Sequence, residues 1–310
     1  HQEAIFDFSK KWSNDFKQLN NFFLSFDIKS SDDIDIVKPY FKDWSNMDGF
    51  ADILVRPKNS VECAIILKTC YTCNILLTIS AGKTNLTGSA TPNGGVVLST
   101  ILLTMPDIKI DLINKQAQAP VGIALESFRS RILELSNQKL YYPADPTSRN
   151  DACIGGTIST NASGFVPGEK GATRYWVREI ELLLPNGDLV EIKKGEYVSK
   201  KGLFTLDYIN GSIELPVPTY KRPKIKNASG LYSDENGEVD LIDLIVGSEG
   251  ILGMVTSCKL GLSEYPKENL ELFVSLENES EAIRLHDFLN DRFKNDFSNV
   301  TAMEYFGYNS

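Results

Sequence analysis

Ser80-Ala81-Gly82-Lys83-Thr84-Asn85-Leu86-Thr87-Gly88 follows the apolar run Ile75-Leu76-Leu77-Thr78-Ile79. That run has the length and β-branched content of a buried strand, which puts the loop at a strand end, where ligands commonly bind. Gly82 and Gly88 have access to backbone angles closed to other residues. Thr84, Asn85 and Thr87 carry hydrogen-bonding side chains, and Lys83 carries a positive charge. Small residues at this density let several backbone N–H groups approach one anion, so the stretch reads as a diphosphate cradle. The same composition also makes an ordinary turn, and the loop alone does not separate the two.

A second cluster extends the first reading. Tyr142-Pro143-Ala144-Asp145-Pro146-Thr147-Ser148 is followed by Cys153-Ile154-Gly155-Gly156-Thr157-Ile158-Ser159-Thr160-Asn161-Ala162-Ser163-Gly164. Side chains are small through most of Gly155 to Gly164, which exposes backbone donors and leaves room for a flat heteroaromatic ring. A third segment, Val246-Gly247-Ser248-Glu249-Gly250-Ile251-Leu252-Gly253-Met254-Val255-Thr256, reads as an apolar strand, a glycine turn and another apolar strand. Taken alone, it is a tight turn; together, the three segments suggest one extended ligand.

In this order the segments resemble the FAD-binding (PCMH-type) domain of the vanillyl-alcohol oxidase family. The closest resemblance is to the branch with D-lactate dehydrogenases, the glycolate oxidase flavin subunit and D-2-hydroxyglutarate dehydrogenases. The resemblance implies that Ala81, Gly82, Lys83, Thr84, Asn85, Leu86, Thr87 and Gly88 hold the FAD diphosphate. It implies that Asp145, Pro146, Ser148, Gly155, Gly156, Thr160, Asn161, Ala162 and Gly164 line the isoalloxazine, and that Gly171 is a further cofactor-binding residue. Glu249, Gly250, Leu252, Gly253 and Val255 would lie near the adenosine half. Gly171-Ala172-Thr173-Arg174, Leu184-Pro185-Asn186-Gly187 and Lys226-Asn227-Ala228-Ser229-Gly230 resemble further family segments, and the likeness covers residues 50–262. Ser80, Ala81 and Lys83 depart from the arginine and glycines common in relatives. Lys83 is either a replacement for that arginine's charge or a solvated lysine. Lys170 stands where a tyrosine is common, and Tyr175 where an aspartate is.

Composition is that of a globular protein: 310 residues, 42% hydrophobic and 24% charged, enough to bury one large core or two smaller ones. A net charge of −9 argues against a nucleic-acid surface, since a phosphate-tracking groove needs a local excess of Lys and Arg. The most basic stretch, Tyr220 to Lys226, reads as a solvated loop. No apolar run approaches the ~18 residues that span a bilayer, and no secretory signal opens the chain, so a cytoplasmic location is the default, with peripheral membrane association left open. Cys63, Cys70, Cys73, Cys153 and Cys258 form no regular framework and read as reduced thiols, with no metal site expected.

The expected fold class is α+β, a two-subdomain FAD-binding PCMH-type fold with the start of an α+β cap domain. Residues 1–45 read as an N-terminal helical segment with Phe6, Trp12, Phe16, Leu19, Phe22 and Phe23 at near-helical spacing, 46–265 as the FAD-binding domain, and 266–310 as the opening of a truncated substrate or cap domain. Within these, Ser60 is expected to cap a helix reaching Cys73. Strands are expected at Val96–Ser99, Ile108–Asp111 and Leu272–Leu276, and helices at Ile123–Leu135 and Ser280–Phe293. Pro185-Asn186-Gly187-Asp188 signals a hairpin.

The resemblance implies noncovalent FAD, because the first loop has no His or Cys, and hydride transfer from a D-2-hydroxy acid such as lactate, glycolate or 2-hydroxyglutarate to flavin N5. An electron acceptor or redox partner protein would follow. His1 is terminal and His286 sits on an expected surface helix, so no catalytic residue is assigned and the base is expected in the cap. The alternatives are a noncatalytic FAD-binding subunit, a degenerate domain, or a flavoenzyme of another substrate class.

Overall fold

Unbroken apolar runs such as Ile53-Leu54-Val55 and Val96-Val97-Leu98 suit strands buried on both faces. In the computed structural model, which describes residues 1–307 apart from 210, 224, 295 and 298 and only the backbone of 206–208, these runs form β2 (Ile53–Arg56) and β4 (Val96–Ser99). They are the two central strands of a four-stranded sheet in the order β1 (Lys29–Ser31), β2, β4, β3 (Leu77–Ser80). Strands β2, β4 and β3 run parallel, and β1 pairs antiparallel with β2. The pleat sends Ile53, Val55, Val96 and Leu98 into the main core, and Leu54 and Val97 to the opposite face against Val37 and Ala51.

The second sheet is antiparallel throughout, in the order β5 (Lys109–Asp111), β6 (Gln116–Pro120), β12 (Met254–Gly261), β8 (Val177–Leu183), β9 (Leu189–Lys193). The expected hairpin joins β8 to β9: Leu184 N–H donates to Asp188 O at 2.8 Å, and Gly187 supplies the positive φ of 81° that the turn requires. Two small pairs complete the strands, β7 (Leu140–Tyr141) with β13 (Ser263–Glu264) and β10 (Leu203–Tyr208) with β11 (Gly211–Pro216). One sheet mostly parallel and one antiparallel, sharing a core, give the α+β two-subdomain arrangement expected from the sequence.

Helices cover both sheets. The aromatic stripe near the N-terminus forms α1 (Gln2–Ser9) and α2 (Phe16–Leu24), whose Ile5, Phe8, Leu19 and Phe23 join the core that holds β2 and β4. A short α3 (Ile34–Val37) leads to the first sheet, and α4 (Ser60–Thr72) connects β2 to β3. Its N-cap is Asn59 rather than Ser60. Asn59 Oδ1 accepts from Glu62 N at 2.9 Å, while the Glu62 carboxylate accepts from Asn59 Nδ2 at 2.9 Å and Lys58 N at 2.8 Å, a reciprocal cap that Ser60, already inside the helix, cannot make. Helix α5 (Leu125–Leu135) buries Leu125, Phe128 and Ile132 as its spacing predicts. The remaining helices are α6 (Ile154–Ser159), α7 (Thr173–Trp176), α8 (Leu241–Ile245) and α9 (Glu279–Arg292).

Three expectations are corrected. Strand β3 is an edge strand, half-buried, with Leu76 beside it 62% exposed, because β4 covers only one side of it. The apolar run before Gly247 is the helix α8, started by Asp240 Oδ1 accepting from Ile242 N at 2.8 Å, not a strand. Leu272–Leu276 forms no strand: no ladder partner lies beside it among the described residues, and Leu272, Phe273 and Val274 are exposed.

Phe23 is fully buried where α2 meets the core. Phe23→Ala is expected to lower stability by about 3–5 kcal/mol while leaving one cooperative transition, read as a shift in urea midpoint at unchanged slope. A separate early transition would show that α1 and α2 fold independently of the body.

Candidate functional site

The three motif segments, far apart in sequence, meet at one junction. Helix α6 begins as the second segment turns in, and Gly156 comes to rest against Ala81, 3.3 Å from where its Cβ would be. At the far end of α6 the third segment docks through its backbone: Gly247 N donates to Ile158 O at 3.0 Å and Glu249 N to Ser159 O at 2.8 Å. Glu249 and Gly250 both have positive φ, 55° and 81°, which turns the chain back toward β3 so that Gly250 approaches Ile79.

The first loop has the property a diphosphate site needs. Among the described residues, no backbone N–H from Gly82 to Gly88 donates to a protein acceptor, so this run of donors, half-buried except at Leu86 and Thr87, is available to an anion. Gly82 is required by close packing: a Cβ there would lie 2.0 Å from Asp151 O. The loop's side chains are largely engaged within the protein. Asn85 Nδ2 donates to Asp43 Oδ2 at 2.7 Å and Ser89 Oγ at 3.0 Å, and Thr87 Oγ1 lies 3.3 Å from Ser89 Oγ. Lys83 Nζ donates to Pro39 O at 2.7 Å and sits 4.6 Å from the Tyr40 ring, and its partial burial lowers its pKa. Leu86 is exposed.

Asp43, which no sequence pattern marks, organises this loop. Its Oδ2 accepts from Asn85 Nδ2 and from Ala90 N at 3.2 Å, and its Oδ1 accepts from Ser45 N at 2.9 Å. Burial works to raise its pKa, but the hydrogen bonds from Ser45, Asn85 and Ala90 together outweigh that and hold the carboxyl below the usual range.

The proline-led segment is held in a similar way by Arg129 of α5, whose Nη1 donates to Tyr142 O at 2.8 Å and Ala144 O at 3.1 Å. Asp145 Oδ1 accepts from Phe165 N at 3.2 Å, and a Cβ on Gly164 would lie 2.3 Å from that same oxygen, so this glycine lets the two halves of the second segment touch. Burial pushes the Asp145 carboxyl up, opposed by the charge of Arg129. Asn161 is fully buried at φ 48° and accepts from Arg174 N at 2.9 Å. Gly171 packs against the Val166 carbonyl, and Lys170 is exposed. Cys153 is buried, which raises its thiol pKa to about 11.

Beside the junction a cleft of about 770 Å³ opens between the end of α4, β3 and the turn of the third segment, lined by Leu77, Ile79, Gly250, Ile251 and Met254. Donors lie at the loop, and the cleft alongside has a mixed lining, with Lys68, Tyr71, Thr72 and Asn74 as well as the apolar residues, a combination that a diphosphate joined to an aromatic nucleoside can use. Pro146, Ser148 and Thr160 belong to the same two arms, whereas Gly253 and Val255 lie at the entry to β12. Neither histidine is near: His1 packs edge-on to Phe26, and His286 is exposed on α9 beside Asp287.

Comparison with known proteins finds similarity in sequence and in fold. A family model described as FAD binding domain matches residues 51–193. The chain is 28% identical over 232 residues to a D-lactate dehydrogenase of Anaerostipes hadrus, covering 75% of this chain and 40% of that protein. It is 27% identical over 278 residues to a D-2-hydroxyglutarate dehydrogenase of Stutzerimonas stutzeri, covering 88% and 50%. The chain therefore spans half or less of the length of these curated relatives. The solved structure of 6-hydroxy-D-nicotine oxidase from Arthrobacter nicotinovorans superposes with a TM-score of 0.59 at 17% identity, over 85% of this chain and 49% of that one, a likeness of fold. The first two of the three motif segments gathered at this junction, 81–88 and 145–164, fall within the residues 51–193 that match the FAD binding domain model.

Proposed function

We propose that the chain is the FAD-bearing part of a dehydrogenase or oxidase that acts on the CH–OH group of a D-2-hydroxy acid, with the cofactor held noncovalently. The observation that carries this reading is the run of unengaged N–H donors from Gly82 to Gly88 at the meeting point of the three segments. The substrate class follows the names of the relatives, a D-lactate and a D-2-hydroxyglutarate dehydrogenase. Bound FAD supplies the hydride acceptor. The chain's own residues bind and orient it: the loop N–H groups hold the diphosphate, Asp43 fixes the loop, and Arg129 and Asp145 fix the segment that shapes the ring site. The cleft beside Ile79 and Met254 takes the adenosine.

Residues 46–265 are the flavin unit in this reading, with 1–45 packed against it. Residues 266–310 open a substrate domain, which the exposed Leu270, Leu272 and Phe273 are suited to join. The proton acceptor for the substrate hydroxyl belongs to that domain, and electrons leave to an acceptor or redox partner. No helix among the described residues is long and apolar enough to cross a membrane, and a cytoplasmic site of action is part of the proposal.

Reconstitution with excess FAD, desalting and heat release should return near-stoichiometric free flavin, whereas a folded but colourless chain would overturn the reading. Gly82→Ala is expected to weaken FAD binding at least tenfold, because its methyl group would collide with Asp151 O. A far-UV spectrum like the parent's would confine the effect to the site.

Asp43→Asn is expected to weaken FAD binding by about tenfold to a hundredfold, the range for loss of charge-assisted hydrogen bonds. The Asp43 pKa is depressed in the fold, so its contribution is complete above the unfolded value of about 3.9. It is lost only as the pH falls through the still lower folded value. The ratio of the two dissociation constants should therefore stay flat from pH 7 to pH 5. A ratio that closes over that interval would contradict the assignment.

A further inference from the structure

The insertion between β9 and α8 builds a second cleft that the flavin reading does not use. It has a volume of about 680 Å³, and residues of neither the 81–88 loop nor the 247–254 turn line it. Of the predicted cofactor residues, Asn161 alone reaches it. In a chain of net charge −9, six cations line this cleft (Arg174, Arg178, Lys194, Lys221, Arg222 and Lys226) against four carboxylates.

The partners of these cations are unevenly distributed. Lys194 is ion-paired to Asp243. Arg174 donates to Asp243 O and Val246 O, Arg178 to Tyr175 O, and Lys226 to Gly164 O and Val166 O, so their bonds go to neutral carbonyls. Arg222 donates through Nη2 to Asn227 O at 2.9 Å, and its Nη1, although buried, has no partner. Lys221 has no hydrogen-bond or ion-pair partner among the described residues. The amide Nδ2 of fully buried Asn161 is also unpartnered.

Buried N–H donors left unpaired carry their full desolvation penalty, and a guanidinium carries more of it than a neutral group. Here two such donors belong to residues that line one cleft with a surplus of positive charge. Both are donors, so their complement is an acceptor, and the charge makes that acceptor anionic. The Tyr232 ring lies between the guanidinium groups of Arg174, 5.0 Å from its centroid, and Arg222, at 4.7 Å, and this holds the Arg222 fork in place.

We infer that this cleft is an oxyanion site, in which Arg222, Lys221 and the Asn161 amide receive a carboxylate or phosphate group of a small molecule. Such a group accepts several charge-assisted hydrogen bonds at once and satisfies both unpaired donors. The inference does not require that FAD bind elsewhere in the chain.

The test is calorimetric titration of the full chain, loaded with FAD if it takes the cofactor, with inorganic phosphate and separately with D-lactate, to distinguish the two sources of oxyanion. Saturable binding of either is expected, weakened about tenfold or more in Arg222→Ala and in Lys221→Ala, with Arg222→Lys intermediate because it keeps the charge and loses the fork. The flavin absorbance should be unchanged in all three variants. Failure of both anions to bind, binding that the three variants leave untouched, or phosphate binding that releases FAD would each overturn the assignment; the last would place the anion in the diphosphate loop.

Discussion

Everything at the candidate site depends on a buried guanidinium. Arg174 enters from α7 beneath the end of α8 and donates through Nε and Nη2 to the Asp243 and Val246 carbonyls, two acceptors that a short helix leaves unsatisfied at its C-terminus. Burial lowers its pKa to about 10, which still leaves it charged at neutral pH. Its backbone N–H is fixed by Asn161 Oδ1, so one residue ties the end of the second segment to the start of the third. With α8 ended at that point, Gly247 and Glu249 come level with the last carbonyls of α6. The meeting of the second and third segments is therefore set by a side chain whose hydrogen bonds go to the end of α8.

The 81–88 loop is held by an anion. Asp43 draws in Asn85 and Ala90, and Lys83 is anchored at Pro39. Polar side chains that could otherwise turn toward a ligand are thereby committed to loop geometry, and the backbone is left to do the binding. This is a consistent division of labour. Backbone donors in a fixed loop lose no rotamer entropy when an anion arrives, whereas flexible lysine and asparagine side chains would.

Much of this arrangement is legible in the sequence, for a physical reason. Small residues in a row leave a mark because nothing else needs them, so the segments at 81–88, 155–164 and 247–253 stand out by composition alone. Strands buried on both faces, such as Ile53–Val55 and Val96–Leu98, and the Phe128/Ile132 face of α5 are equally plain, since burial imposes a period. What cannot be read is tertiary. Asp43 and Arg129 act on residues distant in sequence, and a single aspartate or arginine on a polar stretch has no pattern to betray it. The run at Leu241–Ile245 is too short for periodicity to separate strand from helix, and the decision falls to Asp240 as cap. Residues 272–276 have strand composition, but composition cannot supply a ladder partner.

The insertion from 197 to 240 shows where function and scaffold divide. It is anchored to the segment predicted to line the flavin: Lys226 crosses to the carbonyls of Gly164 and Val166 at 2.8 and 3.1 Å, and Tyr232 stacks on Arg174. These contacts account for the conformation of one of its charged groups, Lys226, yet not for Arg222, whose Nη1 is buried without an acceptor, or for Lys221 beside it. A loop needed only as packing would not gather cations against one another, because each adds self-repulsion and desolvation that an apolar residue of similar size would avoid. Because Lys226 and Arg174 connect the cleft to the segment predicted to line the flavin, an anion entering there would act on the same hydrogen-bonded frame that holds α6 in place.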